Sequence, residues 1–380
     1  MKPDAKTTSP IPIARPDVGQ LEIDAVTNVL RGDILALGPR AEAFEEAVAS
    51  LVGRRFGVAC SSGTAGLHMV VAGLGLREGD EVITSPFSFV ASANCILYER
   101  ATPRFVDIEE ETLGIDPDRL EAVSGPNTRG VLAVDVFGNP CRIDAIEAVT
   151  DRHGWHLIED SCEALGSRLR GRQTGSFGVA GVFAFYPNKQ ITTGEGGMVV
   201  TDDPSLAEAL RSLRNQGRDA DGTWLRHVRL GFNYRLDELS AALGVAQLQR
   251  LGELRARRQR VVDRYAQVLH GLPWLRVPRP APGAEVDWFV YVIRLDPSID
   301  RDRLVRQLDA RGVSTRPYFS PIHLQPYWRD RFGYRPGDFP ITERVASSTL
   351  ALPFSTRLTD GEIQRVAEAL RDCADEQGRG

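Results

Sequence analysis

Apolar positions recur at helical spacing over residues 24–30, and again over about 41–51, behind a polar, Pro-rich N-terminal arm. A period near 3.6 puts one apolar stripe on each segment and predicts two helices. The pattern then changes. Short apolar runs at 81–84, 104–107, 131–136 and 155–160 read as buried strands, while 64–74 and 143–153 keep the helical period. Strands that alternate with helices predict an α/β fold around a largely parallel sheet. Two further strand candidates, 179–185 and 197–201, flank a Gly-rich turn. A long helical stretch follows from 235 to about 269, with Leu236, Leu239, Leu243, Leu248, Leu251 and Leu254 along its apolar face. Pro273, Pro278, Pro280 and Pro282 break that pattern and mark a connection. A strand-like run at 288–295 and helices near 301–311 and 360–371 read as a small α+β domain. The expected division is an arm plus large domain over 1–250 and a small C-terminal domain over 251–380.

Composition narrows the class. The 380 residues are 42% hydrophobic, enough for a large core and a second domain. The net charge is −5, with both signs mixed along the chain and no basic block, so neither nucleic acid nor a membrane surface is an expected partner. Cys60, Cys95, Cys141, Cys162 and Cys373 are scattered without a CxxC pair. That argues against a disulfide framework or a zinc site and for a reducing compartment. The arm has no apolar core of a secretory signal, and no apolar run approaches the roughly 20 residues that span a bilayer. A cytoplasmic location is the expectation.

In parallel α/β sheets, ligands sit at the carboxyl ends of the strands, so the residues after each strand carry the chemistry. Ser61-Ser62-Gly63-Thr64-Ala65-Gly66 follows a short apolar run and opens a helix. Small residues at a helix start expose N–H groups to a phosphate, although Ser and Thr are also ordinary helix caps. No GxxxxGK and no GxGxxG is present, which removes the P-loop and the dinucleotide fingerprint. Asp160 closes an apolar strand. A carboxylate there suits the pyridine nitrogen of pyridoxal phosphate, and a solvated acid or helix cap is an equally open reading. Lys189 lies between an apolar strand and the turn Thr192-Thr193-Gly194-Glu195-Gly196-Gly197. A lysine in an enclosed, partly apolar setting can attack an aldehyde as the free amine. The chain is rich in Arg and holds only Lys2, Lys6 and Lys189, the first two in the arm, so Lys189 is nearly the sole candidate for a Schiff base.

Together these segments resemble the DegT/DnrJ/EryC1/StrS family of sugar aminotransferases. The resemblance runs from Ile13-Ala14-Arg15-Pro16 through Ser85-Pro86-Phe87-Ser88-Phe89, Glu159-Asp160, the lysine segment and Gly231-Phe232-Asn233-Tyr234-Arg235 to Arg316-Pro317-Tyr318-Phe319 and Leu350-Ala351-Leu352-Pro353. It implies the type I fold of pyridoxal-phosphate enzymes, a large domain with a mostly parallel seven-stranded sheet and a smaller α+β domain. It further implies that Lys189 binds the cofactor as a Schiff base and shuttles a proton, and that Asp160 pairs with the pyridine nitrogen. Phe89 would stack on the ring, Gly63 and Thr64 would hold the phosphate, and Asn233 would reach the cofactor phosphate of the neighbouring subunit in a homodimer. Tyr318 and His323 fall in a segment that approaches the sugar nucleotide. Glutamate would give its amino group to the cofactor, and the pyridoxamine phosphate so formed would pass it to a nucleotide-linked keto-sugar.

Three positions depart from the family pattern. Ala184 stands where many members have a phosphate-binding Ser, which leaves Asn188 or water to replace that contact. Many members have His before the Gly-containing turn at 137–140, where the run here is Val134-Asp135-Val136-Phe137-Gly138. Glu163 stands among the cofactor-facing residues where Gln or His is frequent, and resembles the perosamine-synthase branch, which aminates C4 of a 4-keto-6-deoxy sugar. A cyclitol aminotransferase acting on a scyllo-inosose-type ketone shares the same lysine and aspartate and stays open, as does a non-catalytic binding or regulatory protein on the same fold.

Overall fold

The computed structural model describes residues 9–219 and 223–378; Lys2 and Lys6 lie outside them. Seven strands form the main sheet: β1 (Phe56–Cys60), β2 (Glu81–Thr84), β3 (Thr102–Phe105), β4 (Thr128–Val134), β5 (His156–Asp160), β6 (Ala180–Ala184) and β7 (Gly197–Thr201). Their spatial order is β1-β7-β6-β5-β4-β2-β3. The neighbours from β6 to β3 pair in parallel, and β7 alone runs against the rest.

Helices cover both faces, so strand residues of both parities are buried and the runs read as continuously apolar. Successive side chains point to opposite faces. Leu132 and Val134 pack with Leu67 and Val70 of the helix Gly63–Gly73. Val131 and Ala133 pack with Ile146 and Val149 of the helix Ile143–His153. Among the described residues no helix is long and apolar enough to cross a membrane.

The stretch expected to be one helix from 235 to 269 is two, Glu238–Gln249 and Leu251–Val268, joined at Arg250. Leu251 and Leu254 pack with Phe44 and Phe183 beside the main sheet, whereas Val261 and Tyr265 face the C-terminal core. The joint lets the apolar stripe turn from one core to the other. That second core surrounds a three-stranded antiparallel sheet of Leu275–Arg276, Tyr291–Leu295 and Thr349–Leu352, backed by the helices Arg301–Ala310 and Asp360–Gly378. The arm joins it: the Ile11 N–H donates to the Gly312 carbonyl (2.8 Å), and its carbonyl accepts from Ser314 (3.0 Å).

Candidate active site

The carboxyl ends of β1, β2, β4, β5 and β6 open onto one cavity of about 550 Å³. Lys189 enters it from the loop between β6 and β7. Its Nζ lies 3.4 Å from Oε1 of Glu163 and 4.1 Å from the centre of the Phe289 ring. Buried Arg258, reaching over from the helix Leu251–Val268, donates to the Lys189 and Gln190 carbonyls and fixes the lysine-bearing backbone.

Asp160 ends β5, paired in register with Val134 on β4 and Val182 on β6. Its Oδ2 accepts the Ser92 hydroxyl at 2.6 Å and its Oδ1 the Cys162 N–H at 3.2 Å. Both donors are neutral, and this buried carboxyl has no ion pair among the described residues although it lines the cavity. A buried carboxyl left without a cation fits a protonated pyridine nitrogen.

The helix Gly63–Gly73 points its first turn into the same cavity. The Ser62 hydroxyl caps it by accepting the Ala65 N–H at 3.1 Å. Gly63 and Thr64 line the cavity, and their N–H groups belong to the first turn, which has no partners within the helix. A methyl at Gly63 would lie 2.7 Å from Ala184 Cβ and 2.8 Å from Cys162 Sγ, so only glycine lets the turn come this close. The buried Oδ1 of Asn188, also in the lining, has no partner among the described residues. The free N–H groups of the helix start and the uncompensated Asp160 carboxyl, lining one cavity, fit a phosphate-bearing cofactor with a protonated ring nitrogen.

Glu163 follows three residues after Asp160. Its Oε2 accepts the Phe137 N–H at 2.9 Å. Burial raises its pKa above the usual carboxylate value, against the pull of Lys189. Phe89 and Tyr186 stand at the mouth, exposed to 61% and 53%. Tyr318 lines the cavity too, stacked with Phe137 and Phe319, and burial raises its phenol.

Two expected site residues lie apart. Asn233 is exposed, paired with Asn215, and outside the lining of its own chain's cavity. His323 is wholly buried: its Nε2 meets Glu343 at 3.1 Å and its ring packs against Phe339 at 4.7 Å. The short helical turn Ile322–Leu324 carries it inward, outside the lining of the cavity that Tyr318 reaches. Ser92 and Phe289 were missed from the sequence. Ser92 had a signal, four residues after Ser88 on a nascent helix, and the two hydroxyls meet at 2.7 Å. A larger hollow of about 660 Å³ lies around Arg276, Arg279 and Trp288, but neither Lys189 nor Asp160 reaches it.

Residues 16–371 match the DegT/DnrJ/EryC1/StrS aminotransferase family. The chain belongs to this family. It is 37% identical over 375 residues to the spore coat polysaccharide biosynthesis protein SpsC of Bacillus subtilis, covering 95% of this chain and 96% of that one. Among solved structures it is similar to DesV of S. venezuelae in complex with a ketimine intermediate, at 34% identity and a TM-score of 0.89 over 97% and 99% of the two chains. It is also similar to DesI in the presence of its TDP-sugar product, at 35% identity and a TM-score of 0.90 over 98% and 96%. The fold is that of the type I pyridoxal-phosphate aminotransferases, and this family member is a sugar aminotransferase.

Proposed function

We propose that the protein binds pyridoxal phosphate and moves an amino group from glutamate to a nucleotide-linked keto-sugar, at C4 of a 4-keto-6-deoxy sugar. The observation that carries this reading is the meeting of Lys189, Asp160 and the Gly63–Thr64 helix start in one cavity of about 550 Å³. Lys189 would tether the cofactor. Asp160 would face its ring nitrogen, Gly63 and Thr64 would hold the phosphate, and Phe89 would stack on the ring. Bound there, the cofactor supplies an electron sink for charge developing on the substrate carbon.

The chain's own groups do the rest. Lys189 Nζ takes a proton from the amino donor's carbon and returns one to the sugar carbon. Arg258 fixes the backbone on which that nitrogen rides, and Phe289 covers it with an apolar face. Glu163, at 3.4 Å, holds the nitrogen in place by charge and hydrogen bond. Its acid identity supports C4 amination. The exposed mouth beside Phe89, Tyr186 and Tyr318 leaves room for a substrate longer than the cavity, as a nucleotide-sugar is. The relation to DesI supports that class.

The working unit in this reading is a homodimer with shared sites. Trp224 (80% exposed) and Leu230 (88%) put apolar surface on the segment that leads to Asn233, which would then reach the partner's phosphate site. All five cysteines are thiols, consistent with work in the cytoplasm.

An absorption spectrum with pyridoxal phosphate, before and after glutamate, tests the first half-reaction. The expected visible band moves to shorter wavelength with glutamate, and Lys189→Ala lacks the lysine-linked band. A spectrum identical in Lys189→Ala overturns the assignment and favours a binding protein. Product analysis with keto-sugar nucleotides against keto-cyclitols then decides the acceptor, and turnover of the cyclitol alone would overturn the sugar reading.

A further inference from the structure

The strands that carry the site hold a second pair of acids, one that the proposed chemistry does not use. Asp135 follows β4 and Glu159 precedes Asp160 on β5, and both are wholly buried. Their strands are neighbours, and the two carboxyls lie within range of each other's charge. Neither has a cation partner among the described residues. Asp135 Oδ1 accepts the Cys141 N–H at 3.2 Å and Oδ2 the Ser161 hydroxyl at 2.9 Å. Glu159 Oε2 accepts the Phe177 N–H at 3.0 Å and the Gly175 N–H also acts on this carboxyl, but Oε1 makes no hydrogen bond among the described residues.

Two buried carboxylates in contact without a cation repel each other and leave that oxygen unsatisfied. One arrangement gives every oxygen a partner: a proton on Glu159 Oε1, donated to Asp135. Asp135 then remains a carboxylate with three donors, from Cys141, Ser161 and Glu159. Its placement matters for the site. The Asp135 N–H donates to the Asp160 carbonyl at 3.1 Å, and its carboxylate grips the hydroxyl of Ser161. Ser161 sits between Asp160 and Cys162, whose N–H bonds the Asp160 carboxylate. Asp135 therefore holds the turn that aims Asp160 from both backbone and side chain.

We propose that Glu159 and Asp135 share one proton, held on Glu159, and that the pair positions Asp160. Burial raises both carboxyls, Glu159 well above the usual value, which favours Glu159 as the group that keeps the proton. The titratable groups around the pair are Asp160 on β5, Cys141 beyond β4 and, behind Cys141, Glu109. Beyond them, Arg142 pairs with Glu109 at 3.6 Å and Arg54 donates to the Gly175 and Phe177 carbonyls, but neither arginine pairs with Asp135 or Glu159. The shared proton stands without the cofactor, while the role at Asp160 rests on the reading of the site given above.

The test separates the two. Thermal melting of the full-length protein at pH 6 and pH 9 compares wild type with Glu159→Gln, which puts an N–H where the proton is placed. A folded pKa raised above the unfolded one gives stability that is present at low pH and lost as pH rises through the folded value. The wild type therefore weakens toward pH 9 and the variant weakens less. Glu159→Gln is expected to melt within about 2 °C of wild type at pH 6 and several degrees above it at pH 9. An equal loss at both pH values overturns the shared proton. For positioning, the Kd for pyridoxal phosphate is read from its absorption. Asp135→Asn should raise it about tenfold and Ser161→Ala, a milder cut of the same clasp, about threefold, with Glu159→Gln within about twofold of wild type. Unchanged Kd in both Asp135→Asn and Ser161→Ala overturns the positioning role. Failure of wild type itself to bind pyridoxal phosphate would instead sink the cofactor reading and leave the melting result standing.

Discussion

At the residue scale, the lysine was legible because it had almost no rivals. Lys189 is the one lysine outside the arm, and its strand and glycine-rich turn place it where a parallel sheet gathers ligands. Asp160 was legible for the same reason, as an acid at a strand's carboxyl end. Phe289 was not: it comes from a distant segment, and only tertiary packing brings it over Lys189. Nor could sequence show that Glu163 sits 3.4 Å from that lysine with its carboxyl raised by burial. Glu163→Gln keeps an oxygen for the Phe137 N–H and removes the titration. In wild type, kcat/KM should change as pH rises through the raised value and the group ionises. The variant should lose that limb and fall about tenfold in kcat, less than removal of the proton-transferring group itself would cost. A pH–rate profile of both proteins checks this, and an unaltered profile would leave Glu163 a packing group.

Elements were read well where their signal was local. The helix Ile143–His153 and the strand Gly197–Thr201 have the bounds their periodicity predicts. The helix Ala91–Tyr98 was missed, since it is short and its run of small and apolar residues has no contrasting polar face. The helix Pro204–Arg214 was missed too, although Asp203 caps it and Pro204 opens it, a start signal that could have been used. The joint at Arg250 was hidden because apolar residues continue through it and change only the core they face. At the helix Gly63–Gly73, packing sets how near the first turn can come to β6. Gly63→Ala would press a methyl against Ala184 and Cys162, and the turn must retreat. The Kd for pyridoxal phosphate should rise about tenfold, roughly 1.4 kcal/mol, with little change in the spectrum of the bound form. Titration followed by absorption measures it, and an unchanged Kd would mean the phosphate lies elsewhere.

At the scale of the whole molecule, the layered α/β architecture was legible from alternation alone, whereas a site shared between two copies came only from the family resemblance and is a proposal. Asn233 is the residue that decides the matter. It lies outside the cavity lining of its own chain, at the end of a segment that exposes Trp224 and Leu230. If it completes the partner's site, two separately inactive variants should rescue each other. In a mixed dimer of Lys189→Ala with Asn233→Ala, one site carries both lesions, since its lysine is missing and the partner's asparagine is missing as well. The other site has Lys189 from one protomer and Asn233 from its partner, and is intact. Random mixing makes half the dimers mixed, with one working site each, so about a quarter of wild-type activity should return. Were Asn233 to act within its own chain, every site in the mixture would carry one lesion and mixing would return nothing. Assays of the two variants alone, then unfolded together and refolded, distinguish these outcomes. Light scattering on the same samples shows whether the dimers have formed, so a silent mixture of dimers speaks against sharing and not against assembly.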